Sequence, residues 1–453
     1  DVYKRQVPSD SSGEKPKKRR RLRWTLLIVF GLLLLGLIWF GYTTHPEVTA
    51  LRNIIHYKVV KALGGPRVRT DEPAGSISGT VQDNDGDPIA GATVLVASPL
   101  GHTYTAESGL DGQYQIADVP PGRYVPVAGK RGYDDALEQT CFAGLCFKQK
   151  ASVRPGKQAR DFDLTLSLAA PLSIDLDDSL VVRPAVEVEV EAPLPGKAQR
   201  TSLNFERDGL LVNDCHLYEP VEGEGPPAQT EGFPLLLLVL PGPVANWEFI
   251  PVPFAAEGFS VLACYPLRGL DIDEDAADLL TALEYVRQGR VPSRADGERL
   301  GLIGASFTSL HSYRLLGLTD DMDVTLVLGG MADGFRFRHD VEKGTAHTRP
   351  PFDQALLALG LPNSSPELYL RYSSIFHLEG MPPACLLHGI ADELVPFSQG
   401  VQLAKEMERQ GMPHQFYAYE GLTHYFATTA DSATTQQMFQ DALACLRGYL
   451  AGE

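Results

Sequence analysis

RLGLIGASFTSLHSYRLLGL, Arg299 to Leu318, changes its periodicity halfway along. Up to Ala305 it is a short apolar run, as expected of a buried strand; beyond Ser306 its apolar residues return at helical spacing. The joint is Gly304-Ala305-Ser306-Phe307-Thr308, a G-x-S-x-G pattern with Thr308 at the second glycine. Strand, sharp turn at Gly-x-Ser, helix is the context that holds a serine hydroxyl out at the end of a sheet. The tripeptide alone decides little, because Gly258-Phe259-Ser260 repeats it. Ser306 also has a bland reading, as the cap of the helix that follows.

Working outward, the surroundings alternate strands and helices from about Arg200, which predicts an α/β fold with a mainly parallel sheet. TSLNFERDGLLVNDCHLYEP (Thr201 to Pro220) reads as a hairpin, and LLLLVLPG (Leu235 to Gly242) as a strand buried on both faces. FSVLACYPLRG (Phe259 to Gly269) is the next strand. DEDAADLLTALEYVRQ (Asp273 to Gln288) is a helix with acids in its first turn. The acidic run Asp271 to Asp275 is expected to be solvated charge favoured by the helix dipole rather than a metal site.

Two later segments supply an acid and a base. CLLHGIADELVPFSQGVQLAKEMERQG (Cys385 to Gly411) is an apolar strand, an acid-bearing loop and an amphipathic helix, with Asp392 just past the strand end. HQFYAYEGLTHYF (His414 to Phe426) is a strand and then a loop carrying His424. Taken singly, Asp392 is equally a helix cap and His424 a loop histidine. Taken together, Ser306, Asp392 and His424 follow the chain order of α/β-hydrolases. HGIADELVP resembles the H-G-x-x-D-x-x-V-P motif of the prolyl-oligopeptidase-like and dienelactone-hydrolase-like branches, and EGLTHYF their E-G-x-x-H-x-F. The resemblance spans residues 200–453 and implies a nucleophile at Ser306, a base at His424 and an orienting acid at Asp392. Asp333 is a lesser candidate acid without the motif; His388 is expected to support the Asp392 turn. His311, His339, His347 and His377 rank below His424.

The resemblance is broken after the strand 235–240. The family carries His-Gly there, followed by an oxyanion-binding N–H, whereas this chain has LPGPVANWEF with Pro241 and Pro243. Proline has no N–H. The oxyanion donors implied are therefore Phe307, by position, and Val244 as a displaced second arm. A long insertion near 331–380, with Arg336, Arg338, Arg349 and His339, is expected to cap the serine and select substrate.

Ahead of this region, ISGTV, DNDGDPIAGATVLV, LDGQYQIADVPPGRYVPVA and FDLTLSL form short alternating runs with Asp-Gly and Pro-Gly turns, the pattern of a β-sandwich. Gly79-Thr80-Val81, Asp83 to Val94, Asp111 to Ile116 and Val119 to Tyr124 resemble the carboxypeptidase regulatory-like, transthyretin-like module. DNDGD is expected to be a turn, since it lacks the spacing and final glutamate of a calcium loop. VEVEVEA (Val186 to Ala192) is a strand of either this module or the next.

The 453 residues carry a net charge of −17, yet residues 1–23 hold nine Lys/Arg against three Asp/Glu. The acidic body argues against nucleic acid as a partner. The basic head runs into WTLLIVFGLLLLGLIWFGY, Trp24 to Tyr42, uncharged and bounded by Trp and Tyr. Roughly 20 apolar residues span a bilayer core, and the cationic flank predicts a signal anchor with the N-terminus cytoplasmic and the rest outside. The opening DVYKRQ lacks a methionine and resembles the translated end of a sequencing-library transposon, so a different native start is expected.

Six cysteines are few for an exported protein. Cys141 and Cys146 are close enough to bridge; Cys264 and Cys385 read as free buried residues. No cysteine or histidine spacing suggests zinc, and no cofactor is expected.

The expected organisation is a tail (1–23), transmembrane anchor (24–42), juxtamembrane linker (43–75), sandwich (76–168), connecting strands (169–199) and α/β-hydrolase domain (200–453). The function expected is an extracytoplasmic serine hydrolase acting on small ester or peptide substrates, esterase ahead of peptidase. The alternative is a catalytically impaired hydrolase-fold protein that binds an envelope ligand through its sandwich and cap.

Overall fold

A computed structural model describes residues 15–450, apart from 171, 173, 175, 177–178, 208–209, 224–231, 268–270, 351 and 426–431. The first 14 residues of the basic tail, and Phe426 of the histidine motif, lie outside the described residues. The helices are α1 (Lys15–Tyr42), α2 (Pro46–Ala62), α3 (Pro251–Ala256), α4 (Ile272–Arg287), α5 (Thr308–Leu316), α6 (Gly334–Lys343), α7 (Phe352–Ala358), α8 (Pro366–Arg371), α9 (Ser398–Arg409) and α10 (Ser432–Leu450).

The large sheet begins at Ser179–Val182 and continues through Gly196–Arg207, Leu210–Pro220, Ser260–Pro266, Phe233–Val239 and Ala295–Ala305. It ends with Val324–Leu328, Ala384–Gly389 and His414–Tyr419, every pairing from Ser260–Pro266 onward being parallel. Val186–Val190 pairs antiparallel with Gly196–Arg207, so the alternating VEVEV run belongs to this sheet. Phe233–Val239 is the central strand and shows why its sequence is apolar throughout. Leu235, Leu237 and Val239 enter the core under α4, α5 and α9. Leu236, Leu238 and Leu240 enter the opposite core, under α3 and α10.

The sandwich sets two sheets around Ile77, Val81, Val94, Val96, Tyr114, Ile116 and Tyr124. Its strand Thr93–Ala97 faces two ways, as period-2 alternation dictates. Val94 and Val96 fill the sandwich, while Leu95 and Ala97 pack on Phe335, Tyr369 and Leu370 of the hydrolase insertion. Gly101, at φ +84°, lets the loop meet α6 so closely that a Cβ would sit 2.2 Å from the Phe335 carbonyl oxygen.

All six cysteines are paired: Cys141–Cys146, Cys215–Cys264 and Cys385–Cys445. This corrects the reading of Cys264 and Cys385 as free. Cys215 and Cys264 stand opposite each other on neighbouring antiparallel strands, and Cys385 meets the C-terminal helix, relationships that linear spacing does not express. The stretch Trp24–Tyr42 of α1 has mean hydropathy 2.3 and none of it is buried in the protein.

Candidate active site

Ser306 sits between the strand Ala295–Ala305 and α5, at φ +51°. A non-glycine residue in the left-handed region is strained, and the surroundings must impose it. The Ser306 N–H is held by the Leu328 carbonyl at 2.9 Å. Gly304 is obligatory, because a Cβ there would lie 2.2 Å from Ser312 Oγ. Thr308 finds room and a task. Its hydroxyl accepts from the Ala305 N–H at 3.0 Å and reaches the Val239 and Ala305 carbonyls at 2.9 and 2.8 Å. The residue that breaks the glycine pattern thus ties the elbow to the central strand.

The structure brings the three sequence candidates together. Ser306 Oγ lies 2.7 Å from His424 Nε2, and His424 Nδ1 lies 2.8 Å from Asp392 Oδ2. The carboxylate next to Nδ1 fixes the proton there, leaving Nε2 to accept from the serine. Asp392 is buried, and its Oδ1 accepts the Leu394 and Val395 N–H groups at 3.0 and 2.8 Å. That turn is what D-E-L-V encodes. His388 donates through Nε2 to the Val395 carbonyl at 2.9 Å; burial lowers its pKa, which suits a neutral donor.

The other candidates lie elsewhere. Asp333 caps α6 by accepting the Arg336 N–H at 3.0 Å, and burial raises its pKa to about 6. His339 turns to the sandwich, bonding the Leu100 carbonyl at 3.0 Å, and His377 bonds that of Leu370. Arg338 is buried and stacks on Tyr57 of α2, and Arg336 pairs with Asp340; neither is the selector expected from the insertion. His311 lies under the elbow, paired with Asp275 at 3.2 Å, both fully buried. Asp275 is therefore not solvated charge as the sequence suggested. Asp273 also has partners, Arg314 and Arg371. No spacing motif signals either arrangement.

Of the insertion, His347, Arg349 and Phe352 touch the chain neighbours of all three site residues. His347 N–H donates to the Glu393 carbonyl at 3.1 Å, Arg349 lies over the Tyr425 ring, and Phe352 packs on Phe307 at 4.7 Å between ring centroids. These contacts place part of the insertion beside the site.

The oxyanion side differs from expectation. The Phe307 N–H has no acceptor among the described residues. The Val244 N–H instead faces Asp214 Oδ2 at 3.4 Å, so Val244 is not the free second donor. Pro243, preceding the short 3₁₀ turn Val244–Asn246, aims that N–H at the strand Leu210–Pro220, where Asp214 waits. The His216 ring, 3.6 Å away, holds the Asp214 carboxyl below the ordinary carboxylate range.

A parallel sheet with a strained serine at one strand end, and an acid and a histidine in the loops after two further strands, defines the α/β-hydrolase class. Within it, residues 267–448 match the prolyl oligopeptidase family and residues 76–167 the carboxypeptidase regulatory-like domain. The C-terminal part of the chain is thus similar to the prolyl oligopeptidase family over residues 267–448. No curated protein sequence matches the chain. Similar solved structures include a puromycin-hydrolyzing peptidase from Mycobacterium tuberculosis, at 17% identity and TM-score 0.43 over 82% of this chain and 53% of that one. Another is Pyrococcus horikoshii acylaminoacyl peptidase, at 13% identity and TM-score 0.46 over 83% of this chain and 63% of that one. A Thermogutta terrifontis esterase is 20% identical, with TM-score 0.40, over 54% of this chain and 91% of that one. The chain thus spans between half and two-thirds of the length of the two peptidases.

Proposed function

We propose that this chain is a membrane-anchored serine hydrolase whose catalytic body lies outside the cytoplasm and which cleaves esters in preference to amides. The observation that carries the reading is the continuous relay Ser306–His424–Asp392, with contacts of 2.7 and 2.8 Å. In the acylation step His424 Nε2 takes the Ser306 proton as Oγ attacks the substrate carbonyl carbon. The proton then passes to the leaving alcohol or amine as its bond to that carbon breaks, leaving an acyl ester on Oγ. A water molecule repeats the sequence: His424 takes its proton, the acid departs, and Ser306 regains its hydrogen. Asp392 holds the imidazole tautomer and offsets its transient charge throughout. The Phe307 N–H is the donor available to the oxyanion.

An ester preference follows from the second arm. One lost oxyanion donor costs about 100- to 1000-fold in rate, and a good alkoxide leaving group tolerates that loss better than an amine. Anchoring is supported by the exposed apolar helix Trp24–Tyr42. Three disulfides support an oxidising compartment, and the cationic flank of the span supports a cytoplasmic N-terminus.

Labelling with a fluorophosphonate probe tests the reading. The intact chain is expected to label and Ser306→Ala to remain unlabelled; equal labelling of both would remove the nucleophile from Ser306. Short-chain p-nitrophenyl esters should then turn over faster than aminoacyl amides. The Val244–Asp214 contact favours one second reading, an impaired hydrolase fold used for binding an envelope ligand. An intact chain that never labels would select it.

A further inference from the structure

The helix α2 buries Asn53 against the body and leaves an apolar stripe uncovered. Three of its polar residues, Asn53, Tyr57 and Lys61, reach groups of the body. Asn53 Nδ2 donates to the Ala358 carbonyl at 2.7 Å, Lys61 pairs with Glu342, and Tyr57 receives the guanidinium of Arg338. The opposite face presents Leu51, Ile55 and Val59, which are 51%, 45% and 51% exposed. These three recur every fourth residue and so form one apolar stripe, with Lys58 exposed beside it.

The turn before α2 sets its direction. If α2 continued α1 in a straight line, Arg52 would stand about 18 Å from Phe40, beyond the reach of an arginine side chain. Yet Arg52 Nη1 donates to the carbonyls of Phe40, Gly41 and Thr43 at 3.2, 2.9 and 3.1 Å. The chain therefore bends sharply after Tyr42, and Arg52 satisfies carbonyls that the end of α1 leaves open. A helix bent away from the end of a bilayer span is placed to run along the interface.

A second element meets the same point. The hairpin of Gln139–Phe142 and Leu145–Lys148, closed by Cys141–Cys146, bridges Leu145 to Thr43 and sets Phe147 4.3 Å from the Tyr42 ring. Its tip residue Phe142 is 79% exposed. Its base is fixed to the catalytic body, where Lys148 reaches the Ser364 carbonyl at 3.1 Å and Glu367 at 2.5 Å.

We infer that the outward face of α2 and the disulfide-closed hairpin tip are seated in the bilayer interface beside the span, so that the catalytic body lies on the membrane rather than swinging from a tether. The occupant is the lipid surface itself, and the inference rests on the anchor reading of α1. An apolar helix face flanked by basic residues and an aromatic tip suit that interface. One consequence reaches the site, because α2 packs on α7 and α7 starts at Phe352, the residue over Phe307.

The test uses the full chain in nanodiscs of mixed phosphatidylcholine and phosphatidylglycerol, doped with a phosphatidylcholine bearing a diazirine high on its acyl chain. After irradiation, lipid adducts mapped by mass spectrometry are expected on residues 24–42, 46–63 and 139–147. The triple variant Leu51→Glu, Ile55→Glu, Val59→Glu should lose α2 adducts about tenfold while keeping those on the span. Phe142→Asp should do the same for the hairpin, and it stands as the test if the triple variant fails to fold. Adducts on the span alone would overturn the inference and leave the anchor intact. No adducts on the span would overturn both. An unlabelled α2 with a chemically crosslinked dimer would put a second copy on that face and overturn the inference.

Discussion

The Val244 N–H faces the carboxylate of Asp214 at 3.4 Å, in the segment where this fold ordinarily offers a donor to the oxyanion. Asp214 is ionised at neutral pH, since the neighbouring His216 ring lowers its pKa. On the proposed mechanism, a fixed anion there would oppose the oxyanion as well as occupy the donor. Asp214→Asn removes the charge and keeps the shape. It is expected to raise kcat on p-nitrophenyl esters about tenfold, part of the 100- to 1000-fold one donor is worth. A fall in kcat would instead assign Asp214 to holding the 241–248 loop.

Thr308→Gly restores the glycine of the elbow pattern, yet it should weaken the protein. It deletes a buried hydroxyl that bonds the Ala305 N–H and reaches the Val239 carbonyl. The expected loss is about 1–3 kcal/mol, read from chemical denaturation, with Thr308→Ser retaining most of the stability. An unchanged midpoint for the glycine variant would deny the hydroxyl any structural role.

The phenyl ring of Phe352 lies on that of Phe307, the residue next to Ser306. If the insertion selects acyl groups through this contact, Phe352→Ala should raise KM for a butyrate ester about 2- to 10-fold, the value of one aromatic contact, and leave kcat nearly constant. An equal fall in kcat with no change in KM would mean that the ring acts on the elbow rather than on the substrate.

Stability should fall in mild acid, with His388 as one cause. Burial depresses the imidazole pKa in the fold, whereas the unfolded chain protonates it near about 6.5. The unfolded state then binds more protons, so stability drops as pH falls through about 6.5 and below. Asp333, raised to about 6 by burial, contributes the opposite slope between its ordinary value and about 6. Comparing wild type with His388→Gln isolates the histidine: the variant's Tm should fall less between about pH 7.5 and 5.5. Parallel curves would exclude His388 as a source of acid sensitivity.

The candidate site was largely legible in the sequence. Ser306, Asp392 and His424 each follow an apolar run that must become a strand, and a parallel sheet puts the ends of such strands on one edge. Thr308 was legible only as a departure, because the bond that justifies it reaches Val239, far back in the chain. Asp275 and Asp273 looked like solvated first-turn acids, since helix spacing cannot say that His311, Arg314 and Arg371 close over them.

By itself the sequence determined the elements and their order: apolar runs, helical spacing and turn residues are local properties carried by adjacent side chains. It also determined the apolar stretch Trp24–Tyr42, which needs only length and composition. Tertiary structure alone decided which cysteines meet, that the Val244 N–H meets a carboxylate, and that α2 turns Asn53 inward and Leu51, Ile55 and Val59 outward. Each of these depends on strand register or on the angle between elements. Those are fixed by packing between segments far apart in the chain, where a difference of one residue or a few ångströms changes every partner.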